Sequence, residues 1–187
     1  MAGAWEIYKQ RTGRVLIATI TPPDLKVTMA WANALHDLQQ PPGSDFLRVS
    51  GLPFGPARNQ AVKSMLDGGY GWLFFLDADT IPPRELLLTL INSGRDFIGG
   101  LYHQRFPPFL PAGFMARQEM KDGKPFMSKA PLPPYNPGEI IQVDFLPTGA
   151  TLISRRCLET VLSRYPRPYE WSVDIDNGFT GLSEDYD

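Results

Sequence analysis

Trp72-Leu73-Phe74-Phe75-Leu76 is an unbroken apolar run that ends directly in Asp77-Ala78-Asp79. A run of that length and composition fits a strand covered on both faces, which points to a layered α/β architecture. Carboxylates at the end of such a strand stand at the rim of an open sheet, where ligands bind. Two hard oxygen donors in that position suit Mg²⁺ or Mn²⁺ better than a soft metal. A lone Asp there would be an ordinary solubilising turn. A pair set against a fully apolar strand is harder to explain that way.

The elements around this run alternate. Arg14 to Ile20 is a first strand, ended by Thr21-Pro22-Pro23. Asp24 is placed to cap a helix with Val27, Trp31, Leu35 and Leu38 on one face. A second strand follows from Asp45 to Ser50. Gly55-Pro56 opens a helix whose stripe is Ala57, Ala61, Val62, Met65 and Leu66, stopped by Gly68-Gly69. After the Trp72–Leu76 strand, a helix beginning at Pro82-Pro83 carries Leu86, Leu87, Leu90 and Ile91. Asp96 to Tyr102, Ile140 to Phe145 and Ala150 to Ser154 read as further strands, and Arg155 to Tyr165 as a helix. Single helices between strands predict a mainly parallel sheet with helices on both faces.

Composition excludes several classes. The chain of 187 residues has a formal net charge of -2, so it lacks the basic footprint of a nucleic-acid binder. No apolar run reaches membrane-spanning length, and no secretory signal is evident at the N-terminus. Cys157 is the one cysteine, which rules out an internal disulfide and a cysteine-rich zinc site. A cytoplasmic protein is the expectation. Eight of the 19 prolines fall between Pro107 and Pro137, in a stretch without helical or strand periodicity. Within it, Lys121-Asp122-Gly123-Lys124 has the form of a tight hairpin turn, which predicts an insertion bearing a small hairpin.

Taken in order, these segments resemble a nucleotide-sugar glycosyltransferase of the GT-A fold, similar to glycosyltransferase family 2. The resemblance rests on Ala57-Arg58-Asn59-Gln60, Leu76-Asp77-Ala78-Asp79, Phe97 to Tyr102, Val143 to Ala150, and Ser183-Glu184-Asp185-Tyr186-Asp187. It implies one Rossmann-like domain over residues 1–187. Residues 14–102 would bind the nucleotide sugar, 103–139 form the proline-rich insertion, and 140–187 make the acceptor side. The implied activity is metal-dependent transfer, of the hexosyltransferase type, from a UDP- or GDP-sugar to an acceptor hydroxyl, with inversion. Whether the acceptor is a sugar, a lipid or a protein is left open.

The roles follow from the chemistry of the leaving group. A nucleoside diphosphate gains negative charge as the glycosidic bond breaks, and Mn²⁺ or Mg²⁺ between its phosphates stabilises that charge. By resemblance Asp79 is the direct metal ligand, and Asp77 meets the ribose or a metal-bound water. Thr19, Thr21, Pro22, Arg58, Asn59 and Ala78 border the nucleotide in the same way. Arg58 also opposes the dipole of the helix it starts, so helix stability does not explain it. Beside an acidic site it would orient Asp77 or hold a phosphate through its fork of donors. Asp185 matches the position of the base that takes the acceptor proton, with Glu184 as the second candidate. Ser183-Glu184-Asp185 is equally a good helix N-terminus. His103 lies close to the expected donor pocket, His36 falls on a helix surface, and Trp171 is an aromatic able to stack on a sugar.

Three rivals share features with this pattern. A phosphohydrolase of the haloacid dehalogenase type also has Asp-x-Asp after a strand, but wants Thr where Ile81 stands. A sugar-phosphate nucleotidyltransferase wants a glycine-rich loop where Thr21-Pro22-Pro23 lies. A non-catalytic nucleotide-sugar-binding module would keep the pocket without turnover. The chain stops inside its last helix-start signal, which predicts a truncated form or completion by another chain, with residues 174–187 loosely held.

Overall fold

The computed structural model describes residues 13–164 except 22, 23, 25 and 105. Among the described residues, seven strands form two sheets. The large sheet contains β1 (Val15–Thr21), β2 (Asp45–Ser50), β3 (Trp72–Leu76), β4 (Phe97–Gly99) and β7 (Ala150–Ser154), in the order β2-β1-β3-β7-β4. Strands β5 (Met115–Lys121) and β6 (Lys124–Ala130) make a separate hairpin. Four helices accompany them: α1 (Met29–Asp37), α2 (Phe54–Asp67), α3 (Leu86–Asn92) and α4 (Arg155–Leu162).

The side-chain alternation of β1 and β3 divides the core into two layers. Leu16, Ala18, Ile20, Leu73 and Phe75 face Ala57, Ala61, Val62 and Met65 of α2 and Leu158 of α4. Val15, Ile17, Phe74 and Leu76 face Trp31 of α1 and Leu87, Leu90 and Ile91 of α3. Every residue of β1 and β7 is buried. This is why the central strands read as continuous apolar runs: each residue has a helix layer above or below it.

The sheet is mixed rather than mainly parallel in its pairing. β1 pairs parallel with β2 and β3, whereas β7 runs antiparallel to both β3 and β4. Thus β4 points the same way as β3, and β7 is the one reversed strand among the five. The chain moves outward from β1 to β2 and then returns past β1 to β3. That reversal of strand order falls between β1 and β3, and α/β sheets take ligands at the C-terminal ends of strands at such switch points.

Several boundaries differ from the sequence expectation. Thr28, not Asp24, caps α1, because its hydroxyl accepts the Trp31 N–H at 3.1 Å. Pro82-Pro83 precede α3 rather than open it, and the helix begins at Leu86. The strand expected over Asp96 to Tyr102 shrinks to Phe97–Gly99. Ile140 to Phe145 is not a strand. Only Phe145 forms a bridge there, to Phe114, and both Asp144 and Phe145 donate their N–H to the single Phe114 carbonyl. A period-2 pattern without a neighbouring strand to pair with does not become a strand. The hairpin is as expected: Asp122 (φ 52) and Gly123 (φ 75) both adopt the left-handed conformation that a two-residue primed turn requires.

Candidate functional site

The end of β3 is held from several sides. The Thr19 hydroxyl of β1 donates to the Leu76 carbonyl at 2.8 Å. One residue on, the Asp77 N–H donates to the Gly149 carbonyl at 2.9 Å, continuing the β3–β7 ladder past Leu76↔Ala150. The Asp77 carbonyl accepts from the Trp31 indole N–H at 2.9 Å and from the Thr80 N–H at 3.1 Å. The last of these bonds closes a turn over Ala78 and Asp79. The Asp77 carboxylate therefore leaves from a backbone with both its polar groups satisfied, a rigid mounting for a side chain at a sheet rim.

Arg58 supplies the charge partner. It lies in the second turn of α2, is 2% exposed, and brings Nη2 to 3.4 Å from Asp77 Oδ1. Its guanidinium carbon sits 4.7 Å from the centroid of the Phe75 ring. A buried cation is tolerable only when paired and hydrogen-bonded. This one stacks on an aromatic and meets a carboxylate that is itself open to solvent over about a third of its side-chain surface, 35%. Helix α2 delivers Arg58 here because Ala57 and Ala61, on the same buried face, are small enough to let the helix lie close to the sheet.

Gly149 completes the frame. Its N–H donates to the Tyr102 hydroxyl at 3.0 Å. A Cβ at this position would lie 2.6 Å from the Tyr102 hydroxyl oxygen and 3.1 Å from Asp77 Oδ2. A residue without a side chain is thus what lets Tyr102, arriving after β4, and the carboxylate of Asp77 meet over one point of backbone. Asp77 Oδ1 faces Arg58, and Oδ2 faces the Gly149 side.

The residues singled out in the sequence separate into groups. Arg58, Asp77 and Ala78 come together with exposed Asp79 at the rim, and Asn59 is next to Arg58 on α2, half-buried. Thr19 and Thr21 are buried, and their hydroxyls are engaged within the protein. Thr19 binds Leu76, and the Thr21 hydroxyl accepts from Arg48 Nε at 2.9 Å. They brace the rim from beneath. Pro22, Glu184, Asp185 and Trp171 lie outside the described residues. His103 forms a bridge with Pro111, and exposed His36 lies 3.1 Å from its neighbour Asp37. Trp31, Tyr102 and Gly149 were not expected as site residues. Trp31 is indistinguishable in sequence from its apolar helix stripe, and the Gly before the Ala150–Ser154 strand was the one available signal for Gly149.

Donor chemistry decides which ion the rim could hold. Among the described residues, no group of three or more His, Cys, Asp or Glu side chains is close enough to enclose a metal. Mg²⁺ and Mn²⁺ do not need such a group, since Mg²⁺ typically uses one or two carboxylates and fills its shell with water and substrate phosphates. Asp77 and Asp79 fit that requirement.

Away from this rim, several groups have displaced titration. Asp96, just before β4, is held below its ordinary value first by the hydrogen bond from Arg156 and then by that from Ser154 Oγ at 2.7 Å. Ser154 also caps α4 by accepting the Cys157 N–H at 3.1 Å. Burial raises the Cys157 thiol, and a hydrogen bond to Asp45 raises the Tyr70 phenol. The Asp96 contacts tie β4 to β7 and α4, and the Tyr70 contact ties the starts of β2 and β3, at the opposite end of the strands from Asp77.

No protein-family model and no curated protein matches the chain. Among solved structures it is similar to the crystal structure of A197 from STIV, with 21% identity, a TM-score of 0.50, and coverage of 78% of this chain and 67% of that one. Likeness at that identity concerns the arrangement of helices and strands. With the mixed sheet described above, it supports an α/β fold with a central sheet flanked by helices.

Proposed function

We propose that this chain is a metal-dependent glycosyltransferase of the GT-A type, which moves a sugar from a nucleotide-diphosphate donor to an acceptor hydroxyl with inversion. The observation that carries the reading is the Asp77-Ala78-Asp79 turn at the end of β3, beside the reversal of strand order, with Asp77 held by a buried arginine. A solubilising turn has no use for a buried cation, whose desolvation is costly. A site for a charged ligand does.

Each residue has a distinct task in this reading. Asp79 and Asp77 would hold Mn²⁺ or Mg²⁺ as hard oxygen ligands. When bound, the ion supplies Lewis-acid stabilisation of charge on the departing diphosphate. Arg58 fixes the orientation of Asp77 through Oδ1 and adds positive potential to the rim. Trp31, Thr80 and Gly149 hold the Asp77 backbone still, so little reorganisation is needed when the donor arrives. The acceptor proton goes to a carboxylate, for which Asp185 is the candidate and Glu184 the second choice.

The test is thermal unfolding with Mn²⁺, with UDP or GDP, and with both. Both together should stabilise far more than either alone, because the two carboxylates repel an uncompensated diphosphate. Asp79→Ala should lose the joint effect. Equal stabilisation of the Asp79→Ala protein would remove the metal assignment, and with it this function. Release of nucleoside diphosphate from UDP- or GDP-sugars then distinguishes a transferase from a binding module. Asp185→Asn should keep nucleotide binding and lose transfer, whereas parallel loss of both would assign Asp185 to donor contact or structure.

A further inference from the structure

Charge and apolar exposure converge on one segment outside the carboxylate rim. The chain as a whole carries -2, yet the described residues within 101–130 include four basic side chains, Arg117, Lys121, Lys124 and Lys129, against two acidic ones, Glu119 and Asp122, with Arg117 and Glu119 paired at 3.6 Å. The same segment exposes large apolar side chains: Phe106 by 72%, Phe109 by 55%, Met120 by 67% and Met127 by 60%. They are carried on two consecutive hairpins joined by Gly113 and Phe114. In the first, the Ala112 N–H donates to the Tyr102 carbonyl at 2.8 Å, Gln104 to Leu110 at 2.9 Å, and Phe109 to Phe106 at 2.9 Å. Phe109, at φ 56, is held in a conformation that bulky residues rarely adopt. The second hairpin is β5–β6, where the pairings Met120↔Pro125 and Gln118↔Met127 set Met120, Pro125 and Met127 on one face.

We propose that these two hairpins dock the protein on an anionic lipid surface. Both elements pair their backbone internally, so their turns can enter a low-dielectric layer without stranding many N–H groups. Phe and Met side chains take the boundary between headgroups and acyl chains. The lysines at the β5–β6 turn reach lipid phosphates on flexible apolar stems. A lipid surface is favoured over a protein partner because the exposed apolar groups are accompanied by an excess of basic over acidic side chains, which an anionic layer complements. A fluid layer accepts both without shape complementarity. No helix among the described residues is long and apolar enough to cross a membrane, and the proposed docking is peripheral. The inference is independent of the proposed sugar transfer.

Co-sedimentation of the full chain with phosphatidylcholine vesicles, with and without phosphatidylserine, tests it. Binding should require phosphatidylserine and weaken as salt is raised. Each basic residue near such a surface contributes about fivefold, so Lys121→Glu/Lys124→Glu should weaken binding by more than about tenfold. Phe106→Ser/Phe109→Ser should weaken it as well. These side chains are exposed, so circular dichroism and melting temperature should match the unmodified protein; single Phe106→Ser serves if the double variant unfolds. Failure to pellet, or pelleting that neither pair of substitutions changes, overturns the proposal. A chain that ignores vesicles but forms a dimer sensitive to Phe106→Ser overturns it in favour of a protein interface.

Discussion

Replacing Arg58 separates its structural contribution from its functional one. The side chain is 2% exposed, lies over the Phe75 ring and ends at Asp77. Arg58→Ala removes everything beyond Cβ from a packed layer between α2 and β3, a change that costs about 2–5 kcal/mol in buried cavities. Arg58→Met keeps most of the stem volume and removes the buried charge. Asp77 then loses its partner, but at 35% side-chain exposure it can be hydrated. Removing one partner of a fully buried pair costs about 3–5 kcal/mol because the other charge is stranded, a penalty that a carboxylate able to reach water escapes. The Met variant should therefore stay within about 1 kcal/mol of the unmodified protein. For a domain of this size each kcal/mol moves the melting temperature by about 2–4 °C. The expected result is a fall of about 4–20 °C for Arg58→Ala and a shift of at most about 4 °C for Arg58→Met, read by circular dichroism at neutral pH. The same Met variant should lose most of the added stability that Mn²⁺ and a nucleoside diphosphate give together, a gain of about 2.7 kcal/mol at one hundred times Kd. If Arg58→Met unfolds as easily as Arg58→Ala, the pair is a structural cross-link. If it keeps full ligand stabilisation, Arg58 has no part in binding.

Two further outcomes follow from particular contacts. Gly149→Ala should cost about 1–3 kcal/mol and weaken ligand stabilisation, because the new methyl meets Tyr102 at 2.6 Å; Gly149→Ala/Tyr102→Ala should recover part of the stability, and strictly additive losses would rule the clash out. Asp96 has its folded pKa depressed by Arg156 and Ser154, so its contribution is present above the unfolded value of about 3.9 and is lost as pH falls through the lower folded value. Asp96→Asn should thus lower the melting temperature slightly at pH 7, the effect being small because the carboxylate is 38% exposed and screened. The difference from the unmodified protein should shrink at pH values below about 4, and an unchanged difference there would contradict the assignment.

Central strands and their helices were legible because burial on both faces leaves a strong imprint. Trp72–Leu76 and Ala150–Ser154 are apolar or small throughout, and α2 shows its stripe at Ala57, Ala61, Val62 and Met65. The Lys121-Asp122-Gly123-Lys124 turn was legible for a local reason, since its two central residues tolerate positive φ. The acidic pair was equally plain, because two carboxylates after an apolar run have no packing purpose.

Pairing direction and the surroundings of the acids were another matter. Nothing local in Ala150–Ser154 says that it runs antiparallel between β3 and β4, because a strand covered on both faces has the same composition in either direction. Ile140 to Phe145 has the alternation of a strand but finds only Phe114 to pair with, and partners are a property of the whole fold. The frame around Asp77 joins residues 58, 102 and 149, far apart in the chain, through one buried guanidinium, one phenol and one glycine. The sequence by itself determined where the layers lie and that two carboxylates end the central strand, since burial and charge are written residue by residue. Only the tertiary structure decided that Arg58, Trp31, Tyr102 and Gly149 converge on Asp77, because convergence depends on which strands become neighbours and how closely the helices approach them.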